Sequence, residues 1–336
     1  MKKPYDNLNQ FYLDTLDYVY HHYDFKNTPR GFAEQEILGF SQKLGNPIAR
    51  FCYHPKRRQN IIFNYAEALW YLSGKNDLSF IQWYAPSMSR FSADNKTLPG
   101  TGYGKKLFHF GSENINQIER ALDILKQDDS DSKRVFLQIF SADENIYKCN
   151  IDVSCTLGLQ LLLREDELHM VAYMRANDAY VGMLSDIFSF TFLQEFLASL
   201  LECKVGTYTH HVGSIHIYKN NIKNVKSILK DSNKNIFTDP ILPKMPYSNF
   251  DVITEVLKFE RKIRLGIMTL EEINDLSLNE YWKDILRLFK ANTYIRENRD
   301  ISEELLANLS DFHRSFLLNR HTITTIVSKQ EGVTTI

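Results

Sequence analysis

The chain has 336 residues, 43% of them apolar and 13% aromatic, enough for a sizeable core and expected as one principal domain with an appendage. Its 40 basic residues stand against 41 acidic ones, a formal net charge of −1, which excludes a broad positive surface for nucleic acid or acidic membranes. Any anionic ligand has to be held locally.

The N-terminal MKKPYDNLNQ carries no apolar run behind its two lysines, and no run of about 18 apolar residues follows, so neither export nor membrane insertion is expected. Cys52, Cys149, Cys155 and Cys203 are too few for a disulfide scaffold and lack zinc-type spacing, so no metal is expected, and reduced thiols in a cytosolic protein are the default. Residues 59–73 (QNIIFNYAEALWYLS) place Ile62, Tyr65, Leu69 and Leu72 at helical spacing, with Gly74 as the stop and Glu67 inside the helix. Residues 84–106 are rich in Ser, Gly, Asp, Asn and Pro and read as a long loop. An amphipathic helix is predicted at 115–127, followed by the charged turn DDSDSKR. Strands follow at 135–140, 156–164 and 167–175, the last two joined as a hairpin through Arg164-Glu165-Asp166.

Residues 186–203 open on Asp186, a residue suited to an N-cap, and continue almost wholly apolar, which predicts a buried helix. A last strand, YTHHVGSIHIY, ends at Tyr218. Beyond Pro240 the sequence turns to helices with charged faces, and a boundary near residue 265 is expected between a catalytic unit, 1–265, and a helical extension, 266–336. The fold class expected is α/β (α+β), a mixed sheet packed by helices.

Cys155 follows the polar Asp152-Val153-Ser154 and precedes TLGLQLLL, so its thiolate can face a pocket at the mouth of a strand; taken alone, such a cysteine packs as a small hydrophobe. The segment MRANDAYVGMLSDIFSF adds Arg175, Asn177, Asp178 and Asp186 among apolar residues. Buried ionisable groups are costly unless paired or binding something, so this is either a candidate site or an exposed loop between strand and helix. His216 and Tyr218 alternate with Ile215 and Ile217 and so share one strand face; by themselves they read as core side chains.

Together these residues carry a resemblance. Glu67 followed by Trp70, Gly102-Tyr103-Gly104, Ser132-Lys133-Arg134, Cys155 with Gln160, Arg175-x-x-Asp178, Gly182, Ser189 and Gly213-x-x-His216-x-Tyr218 resemble thymidylate synthase in order and spacing over roughly residues 25–225. The resemblance implies that family's mixed sheet, a dimer through the sheet, and methylenetetrahydrofolate as co-substrate. It makes Cys155 the nucleophile that adds to C6 of a pyrimidine, with Arg175 and Arg30 binding phosphate and Arg175 keeping the thiol ionised. Lys133 and Arg134 resemble the pair that reaches the partner subunit's phosphate. His216 and Tyr218 hold the sugar hydroxyl, and Gln160 and Ser189 line the pocket. Glu67 organises water and proton transfer, Tyr103 lies near the attacked ring, and Asp178, Glu67 and Gly182 lie towards the folate.

Departures refine the expectation. Asp186 falls where the thymidylate enzymes have an asparagine, here in Gly182-Met183-Leu184-Ser185-Asp186-Ile187. Such an exchange suits cytosine, which offers an N4 donor and an N3 acceptor, and is the hallmark of the cytidylate hydroxymethylases. Thr156 replaces a histidine after the nucleophile, no tryptophan occurs in residues 85–95, and Ser154 replaces a proline. Arg175-Ala176 replaces Arg-Ser and Lys133 an arginine, changes similar to those in CMP hydroxymethylases of nucleoside-antibiotic and thiamine-antimetabolite pathways. The resulting expectation is a CMP 5-hydroxymethylase. The alternatives are a dCMP hydroxymethylase, a thymidylate-type methylase, and a nucleotide-binding regulator, the last disfavoured by the intact Cys155. The family's short carboxyl tail is replaced by about 70 helical residues ending at Ile336, which could replace the lid, cover the dimer edge or bind a partner.

Overall fold

In the computed structural model, which describes residues 3–231 and 241–320, six strands form one mixed sheet. They are β1 Phe25–Asn27, β2 Glu34–Leu44, β3 Phe136–Gln138, β4 Thr156–Arg164, β5 Glu167–Asp178 and β6 Lys204–Tyr218, in the order β1-β2-β6-β5-β4-β3. Only β5 and β6 run parallel; the other neighbours are antiparallel. The hairpin expected at Arg164 is present, with Glu165 and Asp166 at φ of 52° and 60°, the left-handed pair that lets a two-residue turn follow the strand twist. Along β5, Leu168, Met170, Ala172 and Met174 are buried while His169, Val171 and Tyr173 are half-buried. That alternation is the signature of a sheet with one face under helices.

The helices are α1 Leu8–His22, α2 Ile61–Leu72, α3 Leu78–Tyr84, α4 Tyr103–Phe108, α5 Gln117–Asp123, α6 Gly182–Leu201, α7 Ile222–Leu229, α8 Phe250–Arg264, α9 Leu270–Asn274, α10 Glu280–Arg296 and α11 Glu303–Asn308. The crossover between the parallel strands is α6, whose side chains from Ile187 to Ala198 are all buried. It is long and apolar enough to suit a membrane span by composition, but its apolar surface is spent on the protein core. Contrary to the N-cap expectation, Asp186 lies inside α6, which starts at Gly182 without a side-chain cap. Asp178 makes the turn instead, its Oδ1 accepting the Tyr180 N–H at 2.9 Å. This frees the Asp186 carboxyl for the site. The stretch 84–106 is largely irregular, yet it contains a 3-10 turn, Pro86–Phe91, and runs into α4.

The C-terminal helices pack on the sheet's helical layer. Trp282 of α10 meets Phe192 of α6 at 6.2 Å between ring centres, Phe312 meets Phe51 at 4.7 Å, and Tyr84 donates to Glu260 of α8 at 2.7 Å. Buried His313 joins Asp284 at 2.6 Å and the Tyr65 hydroxyl at 2.9 Å. The tail towards Ile336 lies outside the described residues.

Beneath this layer, Arg50 and Glu195 form a buried pair at 2.5 Å, and Glu195 also accepts the Met245 N–H at 2.9 Å. Removing one partner strands the other charge in the core. Glu195→Ala is therefore expected to lower unfolding free energy by about 3–5 kcal/mol, read from denaturant titration; a loss below about 1 kcal/mol would mean that Arg50 finds another partner or water.

Candidate active site

A cleft of about 700 Å³ opens beside Cys155 and is lined by Arg30, Glu34, Val153, Arg175, Ala176 and His216 among others. The chain entering β4 at Cys155 is fixed from several sides. Asp152 accepts the Gly100 N–H at 2.8 Å and the Thr101 hydroxyl at 2.5 Å. A Cβ on Gly100 would fall 2.0 Å from the Asp152 carbonyl oxygen, so glycine is required for this approach. Ser154 donates its hydroxyl to the Gly100 carbonyl at 2.9 Å, receives Lys106 Nζ at 2.5 Å, and gives its N–H to Glu144 at 2.5 Å. Where the resemblance has proline, a buried hydroxyl ties the backbone down.

Arg175 completes this support, donating Nε to the Ser154 carbonyl at 2.8 Å and Nη2 to the Val153 carbonyl at 3.1 Å. The same Nη2 stands 3.6 Å from Cys155 Sγ. Burial pushes the thiol above its ordinary range, and Arg175 and Arg30 pull against it. Burial is the larger influence, and the Arg175 guanidinium is the first of the groups that oppose it.

Behind the cleft lies a second polar group. Asp186 Oδ2 accepts from Asn177 Nδ2 at 2.7 Å. Asn177 Oδ1 is in turn 3.0 Å from His210 Nε2, and His210 Nδ1 is 2.8 Å from the Tyr208 hydroxyl. Burial lowers His210 to about 3, so the ring is neutral. Asn177 Oδ1 can only accept, which puts the proton on Nε2 and leaves Nδ1 to accept from Tyr208. The whole chain therefore donates in one direction, towards Asp186. Burial raises the Asp186 carboxyl to about 7, partly offset by Asn177. Glu67 is pushed up to about 8 by burial and by the charge of Asp186, against hydrogen bonds from Ser189 and Tyr71; the Ser189 hydroxyl donates to it at 2.9 Å. Two buried carboxyls poised to hold protons near neutrality are what general acid–base chemistry requires. Tyr103 packs on Tyr71 and accepts from the Thr156 hydroxyl at 3.1 Å, tying the residue after Cys155 to α4.

At the other end, Arg30 occupies a turn with φ of 52° and lines the cleft with His216 and Tyr218, whose rings meet at 4.8 Å. His216 is buried, and its ring nitrogens make no hydrogen bond among the described residues, Nε2 standing 3.8 Å from Glu34 Oε2. Asp178 is raised to about 6 by burial. A Cβ at Gly182 would stand 3.3 Å from Asn177 Nδ2 and 3.6 Å from Asp186 Oδ2, so the glycine keeps that side of the carboxyl open.

The structure does not bring every expected residue to this group within one chain. Gln160 donates to the Lys133 carbonyl at 2.9 Å and accepts from Tyr173 at 3.2 Å, on the sheet face opposite the core helices. Arg134 is exposed beside Asp128 and Asp129, and neither it nor Lys133 lines the cleft at Cys155. Conversely, sequence reading passed over Gly100, Lys106, Glu144, His210, Tyr208 and Glu34. Only the alternation of polar residues in YTHHVGSIHIY hinted at any of them.

A family model described as thymidylate synthase matches residues 10–262. Similar proteins include a deoxyuridylate hydroxymethyltransferase of Bacillus phage SP01, 28% identical over 310 residues covering 88% of this chain and 77% of that protein. A thymidylate synthase of Francisella philomiragia is 25% identical over 264 residues, 74% of this chain and 94% of its own. A deoxyuridylate hydroxymethyltransferase of Delftia phage PhiW-14 is 28% identical over 186 residues, 52% of this chain and 50% of its own.

Proposed function

This chain belongs to the thymidylate synthase family and is a one-carbon transferase of that type, and we propose that it hydroxymethylates C5 of cytidine 5′-monophosphate. The observation that carries the proposal is the buried Asp186 carboxyl, held by Asn177 and raised to about 7. Near neutrality the acid and the carboxylate are both well populated, and the acid form can donate to an unprotonated N3 and accept from an N4 amino group. Asn177 already donates to Oδ2, which favours the acid proton on Oδ1 and so fixes which oxygen gives and which receives.

The family's co-substrate, methylenetetrahydrofolate, supplies when bound a one-carbon unit at the oxidation level of formaldehyde. The open side of Asp186 at Gly182, beside Asp178, suits a flat ring there. The chain's own residues do the rest. Cys155 adds to C6, making C5 a carbon nucleophile; Arg30 and Arg175 hold phosphate; Glu67, with its carboxyl near 8, holds or takes the proton exchanged with water. Thr156, bonded to Tyr103, offers no ring to shield the exocyclic carbon from water, in keeping with hydration rather than reduction.

Ribose is favoured over deoxyribose by Ala176, which leaves room in the cleft, and by Lys133 in place of a planar arginine. A two-fold dimer through the exposed sheet face is part of the same proposal. The position of Lys133 and Arg134, off their own cleft, supports their reaching a partner's phosphate.

The names of the phage relatives favour a second reading, deoxyuridylate as substrate. One assay separates them: protein, methylenetetrahydrofolate and an equal mixture of CMP, dCMP, UMP and dUMP, with products resolved by mass. Gain of one CH2O on CMP is the expected result. The same gain on dCMP overturns the sugar assignment, on dUMP the base, and gain of CH2 on dUMP the hydration step.

A further inference from the structure

Glu34 opens β2 opposite Tyr218 of β6, and its side chain is 3% exposed. Its Oε2 has no hydrogen-bond partner among the described residues. It faces His216 Nε2 at 3.8 Å, beyond hydrogen-bond reach. The other carboxyls nearby are engaged: Glu36 accepts from Asn27 at 2.6 Å and from the Ser214 hydroxyl, and Asp178 accepts the Tyr180 N–H. A buried carboxyl oxygen and a buried imidazole that meet only at 3.8 Å and make no side-chain hydrogen bond among the described residues are a costly arrangement unless a ligand completes it.

We infer that Glu34 is a sugar-binding residue, its free oxygen accepting a hydrogen bond from a ribose hydroxyl beside His216 and Tyr218. This rests on the nucleotide reading above. The phosphate does not suit its free oxygen, because a phosphate dianion has no hydrogen to donate and the arginines of the cleft, Arg30 and Arg175, match its charge. The base is engaged behind Cys155 by Asp186. Between those ends a nucleotide offers its sugar hydroxyls as donors, and a carboxylate taking ribose hydroxyls is a recurrent solution in nucleotide sites. Burial, Glu36 and Asp178 push the Glu34 carboxyl up to about 7, with Arg30 opposing; in either protonation state it keeps an oxygen able to accept.

The test is a cycle between protein and ligand. Calorimetry would measure binding of CMP, UMP and their 2′-deoxy and 3′-deoxy counterparts to the wild type, Glu34→Ala and Glu34→Met, with Tm recorded for each. In the wild type, deleting the hydroxyl that Glu34 holds should weaken binding about tenfold or more. In the variants that penalty should fall to about threefold or less, while the penalty for the other hydroxyl stays. Glu34→Met keeps side-chain volume should the alanine variant not fold. Equal penalties in wild type and variants, for both hydroxyls, overturn the role. A wild type that prefers the uridine series changes only the base assignment, and the cycle is read in that series. Binding of none of these nucleotides sinks the nucleotide reading and this inference with it.

Discussion

Cys155→Ser is expected to lower turnover by at least about 1000-fold while leaving Tm and nucleotide binding close to those of the wild type. The fold has little reason to object, because the polar contacts of Sγ among the described residues are long, 3.6 Å to Arg175 and 3.9 Å to the Val153 carbonyl. The backbone under it is held instead by Asp152, Ser154 and the guanidinium of Arg175. Serine keeps the shape and loses the chemistry, since an alkoxide is far less accessible than a thiolate at neutral pH. The thiol's raised position adds a sign: the thiolate fraction grows as pH rises, so kcat/KM of the wild type should climb on the alkaline side, and the residual rate of the serine variant should not follow it. Single-turnover product formation measures both. A serine variant within about tenfold of the wild type would remove Cys155 from the nucleophile's role.

What could be read beforehand followed from distance along the chain. The β4–β5 hairpin, the helix bearing Glu67, and the run from Arg175 to Asp186 are local, and local periodicity with polar breaks exposes them. The family resemblance added Arg30, which no periodicity would single out, and a ligand role for His216, which alternation alone read as a core side chain. Pairings across the sheet stayed hidden. Glu34 meets His216 only because β2 and β6 pair in one particular register, and the His210 side chain reaches Asn177 although its own partner across β5 and β6 is Ala172. The N-cap reading of Asp186 failed for a related reason: propensity marks where helices often begin, but here tertiary burial of Met183 and Leu184 draws the helix back to Gly182. The supports of Cys155 were invisible too, since Lys106, Glu144, Ser154 and Gly100 come from separate segments that only tertiary packing brings into contact.

Asp186→Asn is expected to reverse the base preference, lowering kcat/KM for the cytidine nucleotide relative to its uridine counterpart by about 100-fold or more. An amide in this place has a fixed polarity. Its NH2 can donate to O4 and its oxygen can accept from N3–H, which matches uracil and opposes cytosine. The surroundings decide how far the new amide can turn. Turning its NH2 into the place of Oδ2, opposite the 4-substituent, needs the Asn177 amide to flip and accept from it, and neutral His210 permits this by carrying its proton on Nδ1 with the Tyr208 hydroxyl accepting. A donor held there meets O4 of uracil favourably and the N4 amino group of cytosine head-on. Substitution also removes the negative charge that helps raise Glu67, so the Glu67 carboxyl should move down and the acid limb of the pH profile should shift to lower pH in the same variant. Competition assays with paired cytidine and uridine nucleotides, repeated across pH, read both effects. Unchanged base preference would mean that this carboxyl does not face the pyrimidine edge, and the cytidylate reading would fall with it.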